Sequence, residues 1–237
     1  MTEGHSNTAP QPDPGEVILI DKPLTWTSFD VANKLKKACK FKKIGHAGTL
    51  DPLATGLLIL CTGKKTKEID TYQAQEKEYT GTLVLGKTTP SVDLETGFDG
   101  EYPVDHILSG TRLQDAVKAL TGELDQKPPV YSAVRVDGER LYKKARRGEQ
   151  VEIKTRKVMI REFEIDDKDF PEISFRIVCS KGTYIRSMVR DFGGLLDSGA
   201  YLKELRRTRI GDFDVKDAWE LDSFIRQKRA ELGLPNE

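Results

Sequence analysis

The chain has 237 residues, 37% of them hydrophobic, which is enough for one large core or two small ones. Its 38 basic and 38 acidic side chains give zero net charge, which excludes nucleic-acid binding through an overall positive charge but not through a local basic surface. Three widely spaced cysteines and three histidines without metal-ligand spacing argue against a disulfide scaffold and against a metal site. We find no apolar run long enough to cross a bilayer and no secretory pattern, so we expect a cytoplasmic protein without a membrane partner.

The hydrophobic pattern predicts strands and helices that interleave irregularly after a polar tail. Residues 1–15 are polar and rich in proline, so we expect a disordered tail before one domain over residues 16–237. The predicted elements, in chain order, are a strand at 17–20, a helix at 28–40 capped by Ser28, a loop at 43–55, a strand at 57–62, a helix at 66–75, a strand at 78–86, a loop at 87–104, a helix at 113–120, an extended segment at 131–136, a basic helix at 139–147, strands at 151–164 and 173–180, a helix at 184–196 and a basic stretch at 202–209. This order predicts an α+β fold with a mixed, mostly antiparallel sheet.

Charge is distributed unevenly along the neutral chain. Residues 22–65 carry nine basic and two acidic side chains, residues 127–161 carry eleven and four, and residues 88–126 carry two and eight. Such charged segments most often only solvate helix faces, but two basic regions are also compatible with binding to a polyanion. Composition alone therefore leaves RNA binding open.

The densest motif is the string GHAGTLDPLATG, which occupies residues 45–56. Its three glycines and one proline specify a particular backbone path, and Pro52 keeps Asp51 out of the helical region. Taken alone, Asp51 could be a turn residue and His46 a loop histidine bound to the backbone. The chain lacks a complete phosphate-binding loop, a dinucleotide-binding glycine motif and a serine-hydrolase elbow, so these chemistries lose support.

Together with four other strings, this motif resembles the TruB family of tRNA pseudouridine synthases. The other strings are Asp21-Lys22-Pro23, Lys77-Glu78-Tyr79, Tyr131-Ser132-Ala133 and Cys179-Ser180-Lys181-Gly182-Thr183-Tyr184-Ile185-Arg186. The resemblance runs from about residue 17 to residue 209. It implies the pseudouridine synthase fold, in which helices and loops flank the sheet around a catalytic cleft. It also implies conversion of the T-loop uridine of tRNA (position 55) to pseudouridine by base flipping, glycosidic cleavage and reattachment through C5, without cofactor or metal.

The resemblance implies catalytic roles for individual residues. Asp51 is the expected essential carboxylate, which attacks the sugar, attacks the base or assists formation of a glycal, and these three routes stay open. Arg186 is the expected cation that keeps Asp51 ionised. Asp93 stands where the family places an acid that pairs with this arginine, although the following loop departs from the family pattern. Tyr79 is expected to stack on the target base and is a candidate for removing the C5 proton.

Other residues are implied in RNA binding. Tyr184 matches a second aromatic of the pocket and Leu205 an apolar wall. His46 matches a residue that occupies the space left by the extruded base. Lys22 matches a motif near the site, where it could hold a phosphate or support the loop of Asp51. Further candidates for contacts to the RNA backbone are Lys36, Lys37, Lys42, Lys43, Lys143, Lys144, Arg146 and Arg147.

The expected partner is the T-arm stem-loop of tRNA, bound by a monomer that uses no nucleotide cofactor. Many bacterial relatives continue into a small C-terminal RNA-binding (PUA) domain, and we expect this chain to be a short form without it. Two alternatives stay open. One is a subunit of a guide-RNA-dependent pseudouridine synthase, and the other is a tRNA-folding chaperone in which modification is secondary.

Overall fold

The computed structural model describes residues 14–108, 110–132, 135–136, 138–141, 144, 147, 149 and 151–235. The strands are β1 (Val17–Lys22), β2 (Ile44–His46), β3 (Ala54–Thr62), β4 (Lys77–Leu85), β5 (Lys87–Thr88), β6 (Gly100–Glu101), β7 (Gly122–Gln126), β8 (Arg135–Val136), β9 (Glu139–Arg140), β10 (Arg156–Asp166), β11 (Glu172–Cys179), β12 (Ala200–Ile210), β13 (Phe213–Asp214) and β14 (Trp219–Glu220). The α-helices are α1 (Ser28–Ala38), α2 (Ile69–Ala74), α3 (Arg112–Ala119), α4 (Ile185–Leu195) and α5 (Leu221–Glu231), and short 3-10 helices occupy Gly63–Glu68, Asp105–Ile107 and Val215–Asp217.

Ten of these strands form one sheet. Its order is β14-β1-β3-β12-β4-β11-β10-β7, with β2 beside β3 and β13 beside β12. The pairs β1–β14 and β3–β12 are parallel, and the other pairs are antiparallel. The predicted α+β class with a mixed, mostly antiparallel sheet is therefore confirmed.

Strand β3 is buried on both of its faces. Leu58 and Leu60 point into one core, which α1 and α5 cover, while Leu57, Ile59 and Cys61 point into another. A strand covered on both faces is apolar along its whole length rather than alternating. This explains the continuous apolar run at 57–61, and it makes β3 a rigid base for the loop that precedes it.

The N-terminus of α1 differs from the prediction. Thr27, not Ser28, caps the helix, because Thr27 and Asp30 form a reciprocal capping box. Ser28 is the first helical residue and is buried, and its hydroxyl accepts a hydrogen bond from the amide of Leu50 at 2.9 Å. The helix therefore contacts the loop that carries the GHAGTLDPLATG motif.

The segment at 202–209, predicted only as a basic stretch, is the central strand β12. Its alternation places Leu205 and Arg207 on the face towards the large core, opposite Gly81 and Tyr79 of β4. Arg206 lies on the other face and pairs with Asp21 at 2.6 Å. The sequence did not predict this strand because charged residues on a strand are expected to be exposed. The partners of Arg206 and Arg207, which allow both to pack within the sheet, are distant in sequence.

Two further boundaries correct the predictions. Strand β10 begins at Arg156 rather than at residue 151. Residues 139–140, predicted as the start of a basic helix, form β9, which pairs with β8 across Gly138, a glycine with φ of +81°. Lys143 and Arg146 of that predicted helix lie outside the described residues, as does nearly all of the predicted tail.

Gly56 gives a test of the close approach between the paired strands β3 and β12. Its φ is +101°, and a Cβ atom there would lie 2.7 Å from the backbone nitrogen of Arg207 and overlap its carbonyl oxygen. Since backbone cannot yield as a side chain does, Gly56→Ala should lower the free energy of unfolding by about 3 kcal/mol. Urea unfolding measures this loss. The matched control is Gly194→Ala in α4, where nothing lies within 4 Å and a gain of about 0.5–1 kcal/mol is expected. Equal stability of the two variants would contradict the close approach of β12 to Gly56.

Candidate active site

A cleft of about 690 Å³ opens where the loop before β3 meets β4, β12 and the N-terminal end of α4. Five of the eight residues predicted for the site line it, namely Asp51, Tyr79, Tyr184, Arg186 and Leu205. The other three, Lys22, His46 and Asp93, are not part of the lining. The structure thus brings together residues that are up to 159 positions apart, from Gly48 to Arg207, and both of these line the cleft.

Asp51 and Arg186 form an ion pair in the lining of the cleft. The Nε atom of Arg186 donates to Oδ2 of Asp51 at 2.8 Å. The arginine side chain is only 4% exposed, whereas the aspartate side chain is 38% exposed. The carboxylate is therefore open to a ligand on one side and held by a buried cation on the other.

The remaining donors of Arg186 are also used. Its Nη1 donates to the carbonyl of Ser91 at 3.0 Å and its Nη2 to the carbonyl of Tyr131 at 2.8 Å. Asp93, itself buried, places Oδ2 at 3.7 Å from Nε, which is beyond hydrogen-bonding distance but close enough to balance charge. These contacts fix the plane of the guanidinium, so the position of the Asp51 carboxylate is fixed with it.

The loop of Asp51 is held on both sides of the aspartate. On one side Ser28 binds the amide of Leu50, and on the other the Nζ of Lys22 donates to the carbonyl of Pro52 at 3.3 Å. Lys22 also donates to the carbonyl of Pro23 at 2.9 Å and is completely buried. Burial lowers the pKa of Lys22 to about 8, and the charge of Asp51 opposes this shift. Lys22 thus supports the loop rather than facing the cleft.

The ionisation of Lys22 gives a test of its burial. Because its pKa falls from 10.5 to about 8 on folding, the folded chain binds fewer protons than the unfolded chain between these values. The free energy of unfolding should therefore rise between pH 8 and 10.5, by about 1 kcal/mol per pH unit for this group. Lys22→Met should lack this part of the rise, whereas the similar contribution of Lys77 persists in both proteins. Urea unfolding at several alkaline pH values measures how the free energy of unfolding changes with pH in the parent and in Lys22→Met. Equal slopes in the two proteins would contradict the lowered pKa of Lys22.

Tyr79 and Arg207 form the floor of the cleft as directly opposed residues of β4 and β12. Burial raises the pKa of Tyr79, and the neighbouring charge of Arg207 acts in the opposite direction. Arg207 is buried and donates to the carbonyls of Leu57 at 2.8 Å and Gly48 at 3.2 Å. Sequence reasoning missed Arg207. Its spacing of two from Leu205, which puts both on one strand face, is the pattern that could have identified it.

His46 lies in β2, opposite Leu60 of β3, and does not line the cleft. Burial, together with the nearby charge of Arg207, lowers the pKa of His46. The imidazole is therefore neutral at pH 7. A neutral ring is suited to stacking rather than to pairing with a phosphate.

Tyr184, at the start of α4, is fixed by a residue that the sequence analysis missed. The buried side chain of Gln126 accepts from the amide of Tyr184 at 2.8 Å and donates to its carbonyl at 3.1 Å. On the other side, the guanidinium of Arg156 lies 5.2 Å from the centre of the tyrosine ring. The aromatic wall of the cleft is thereby held from both sides.

The basic residues predicted for backbone contacts differ in their surroundings. Lys36, Lys37, Lys42 and Lys43 are exposed. Arg147 forms ion pairs with Glu139 at 2.7 Å and Glu149 at 2.6 Å, which would compete with a phosphate. Within the described residues, no three histidine, cysteine or acidic side chains cluster as a metal site. No helix in that part of the chain has the length and apolar character needed to cross a membrane.

Solved structures with a similar fold cover most of this chain. The chain matches one in a Cbf5-Nop10-Gar1 complex with a TM-score of 0.69 and 28% identity, over 92% of this chain and 56% of that one. It matches one in an H/ACA RNP bound to a substrate RNA containing 2'-deoxyuridine with a TM-score of 0.66 and 25% identity, over 93% of this chain and 56% of that one. The chain thus spans little more than half the length of these two proteins.

Curated relatives match along most of their own length. A tRNA pseudouridine synthase B of Flavobacterium johnsoniae is 56% identical over 217 residues, which are 89% of this chain and 94% of the relative. The protein of the same name from Phocaeicola vulgatus is 51% identical over 216 residues, 89% of this chain and 92% of the relative. The family model described as TruB family pseudouridylate synthase (N terminal domain) matches residues 36–185. The chain therefore belongs to the TruB family of pseudouridylate synthases.

Proposed function

We propose that this protein converts the T-loop uridine of tRNA (position 55) to pseudouridine, with Asp51 as the essential carboxylate. The observation that carries this proposal is the partly exposed carboxylate of Asp51, held by the buried guanidinium of Arg186 in the lining of a cleft. The relatives named tRNA pseudouridine synthase B support tRNA as the substrate. A cytoplasmic monomer that binds the T-arm is part of the same proposal.

The reaction is an isomerisation in which the bonds balance. The bond between N1 of the base and C1' of the ribose breaks, the base rotates, and C5 of the base joins C1'. The proton on C5 leaves, and N1 gains a proton. An ionised carboxylate fixed beside the glycosidic bond can attack C1', attack the ring, or accept the proton whose loss gives a glycal. Asp51 has the exposure that each of these routes needs, and Arg186 stabilises its negative charge.

Tyr79 is proposed to stack on the target base and to take the C5 proton. A neutral phenol presents a flat face to the base, and its raised pKa keeps it neutral before reaction. To take the C5 proton, the phenol must first release its own proton to solvent, and the adjacent guanidinium of Arg207 stabilises the phenolate that is formed. The C5 proton then restores the neutral phenol. Arg207 acts through Tyr79 and is therefore a positioning residue.

Three other predicted residues, Tyr184, Leu205 and His46, are proposed to accommodate base extrusion. The cleft volume lies within the range of sites that enclose a ligand of nucleotide size. Tyr184 and Leu205 provide its aromatic and apolar walls. Unstacking the target base costs a few kcal/mol, and the neutral ring of His46 could offset part of this cost by occupying the space that the base leaves.

Mass spectrometry of treated tRNA tests the proposed function. Purified protein is incubated with an unmodified tRNA transcript, which is then cyanoethylated so that pseudouridine gains a mass that uridine does not. We expect one labelled nucleotide, at the T-loop uridine. Label at another uridine would overturn the site specificity, and a complete lack of label would overturn the activity.

The likeness to a protein of an H/ACA RNP bound to a substrate RNA favours a second candidate, a guide-RNA-dependent synthase. An isolated T-arm stem-loop distinguishes the two. A stand-alone enzyme should label this RNA without any other RNA or protein present. A guide-dependent subunit should be inactive on it until a guide RNA is supplied.

A further inference from the structure

The cleft contains more positive charge than its ion pairs use. Its lining includes Lys77, Arg156, Lys181, Arg186 and Arg207. Among the described residues, the ion pairs of this cleft are those that Arg186 makes with Asp51 and Asp93. The other four cations have no carboxylate within ion-pairing distance in the same part of the chain. Cations collected in a cleft without counter-charges indicate an anionic ligand.

Two of these cations lie on one wall, beside the turn that joins β11 to α4. Lys181 is in this turn, and Arg156 begins the neighbouring strand β10. A Cβ atom on Gly182 would lie 3.6 Å from Nη1 of Arg156, so the guanidinium packs directly against the turn. Besides Asp51, the cleft is lined by one further acid, Asp70, which is on α2, outside this turn and the strand beside it.

The turn that carries Lys181 is rigid. The hydroxyl of Thr183 donates to the carbonyl of Ser180 at 2.9 Å. Ser180 is tied to β10 in both directions, because its amide donates to the carbonyl of Met159 and its hydroxyl accepts from the amide of Met159, each at 2.9 Å. Gly182 adopts a φ of +80°, which favours glycine. The backbone below Lys181 is therefore set before any ligand arrives.

Arg156 is positioned by a cation–π contact rather than by an acid. Its guanidinium lies over the ring of Tyr184, at 5.2 Å from the ring centre. The side chain of Arg156 has no hydrogen bond or ion pair within the described part of the chain, so the N–H groups of its guanidinium remain available to the oxygens of a phosphate. The same tyrosine is the aromatic wall proposed for the extruded nucleotide, so a phosphate bound by Arg156 would lie beside that nucleotide.

We propose that Arg156 and Lys181 form a phosphodiester subsite that grips the RNA backbone at the extruded nucleotide. This inference rests on the proposed function, since it specifies how the same cleft holds its RNA. Lys77 lies deeper, near Lys181, where burial and the adjacent cations lower its pKa to about 8. A bound phosphate would relieve this crowding of positive charge. The subsite would hold the backbone in its extruded path without reading sequence.

Single substitutions and salt test the subsite. Lys181→Gln and Arg156→Gln should each weaken binding of a T-arm stem-loop about three- to tenfold and reduce the salt dependence of log K by about 0.7–0.9. Arg156→Lys keeps the charge but loses the planar guanidinium, so its affinity should fall between those of Arg156→Gln and the parent. The matched control is Lys168→Gln, at the opposite end of β11, which should change neither quantity. Lys168 is exposed and pairs with Asp166.

A backbone scan identifies the phosphate itself. A series of stem-loops, each with one neutral methylphosphonate linkage, is bound by the parent protein and by Lys181→Gln. If the subsite exists, a methylphosphonate at one linkage next to the target uridine weakens binding to the parent protein. The same methylphosphonate causes no further loss of affinity in Lys181→Gln, because this variant already lacks the contact. Losses that add at every linkage would overturn the subsite, as would salt slopes equal to that of the control.

The failure of this inference can be told apart from failure of the proposed function. If the parent protein forms pseudouridine while the methylphosphonate losses add at every linkage, only the subsite is wrong. If the parent forms no pseudouridine in any RNA, the proposed function is wrong whatever the binding data show. Circular dichroism of each variant confirms that a weakened affinity is not caused by unfolding.

Discussion

Asp51→Asn is expected to abolish pseudouridine formation, with a fall in turnover on the order of 10⁴-fold. Asparagine has the same shape and can still accept a hydrogen bond from Arg186, so the cleft should keep its form. It cannot act as an anion towards the sugar, the base or a proton, and all three proposed routes need that anion. Single-turnover assays on unmodified tRNA, read by cyanoethylation, measure the loss.

The same variant separates catalysis from binding. Its affinity for tRNA should stay within about threefold of the parent, because phosphate contacts supply most of the affinity. Asp212→Asn, in the exposed turn after β12, is the matched control and should keep full activity. Turnover of Asp51→Asn within tenfold of the parent, with an intact fold, would show that Asp51 is not the essential carboxylate.

Asp51→Asn also tests the chaperone alternative. Base extrusion disrupts the elbow of tRNA and gives misfolded molecules another chance to fold, without requiring the carboxylate. If the protein acts as a chaperone, Asp51→Asn should still accelerate refolding of denatured tRNA. If Asp51→Asn binds tRNA but does not change its refolding rate, the chaperone role is excluded.

Arg186→Met is expected to damage both stability and catalysis. The substitution leaves the buried carboxylate of Asp93 without its cation and removes the donors to the carbonyls of Ser91 and Tyr131. Removing one partner from a buried charge network costs about 3–5 kcal/mol of unfolding free energy. The carboxylate of Asp51 also loses its anchor, so turnover should fall by about 10³-fold or more. Urea unfolding and single-turnover assays measure the two effects.

Arg186→Lys separates charge from geometry. Lysine restores a cation, but its single nitrogen cannot reach the three acceptors that the planar guanidinium of Arg186 binds. Stability should therefore recover more than turnover does. Equal recovery of both would mean that charge alone matters. A variant Arg186→Met with the stability and turnover of the parent would exclude the buried ion pair as a part of the site.

Several elements could be predicted because their residues specify them locally. The apolar spacing predicted a helix at 184–196, and α4 occupies Ile185–Leu195. Strand β4, predicted at 78–86, occupies Lys77–Leu85. The string around Asp51 predicted an irregular turn because glycines and a proline restrict the backbone through contacts between neighbours. In such cases the determining contacts lie within a few residues.

Other features had no local cause. Strand β7 has a polar sequence with Leu124 as its one aliphatic residue, and it is a strand because it pairs with β10. The sequence predicted no element at residues 221–231, which form α5, a helix whose buried residues complete the core over β1 and β3. Packing between distant segments decided both of these elements.

The sequence by itself determined the family, the position of Asp51 and the general course of strands and helices, since motif identity and periodicity are local properties. Only the tertiary structure decided which residues support the site. Arg207 reaches the carbonyl of Leu57 across 150 positions, and Gln126 reaches Tyr184 across 58. A polar side chain is buried stably only where a partner meets it, and no pattern along the chain specifies where that partner will be.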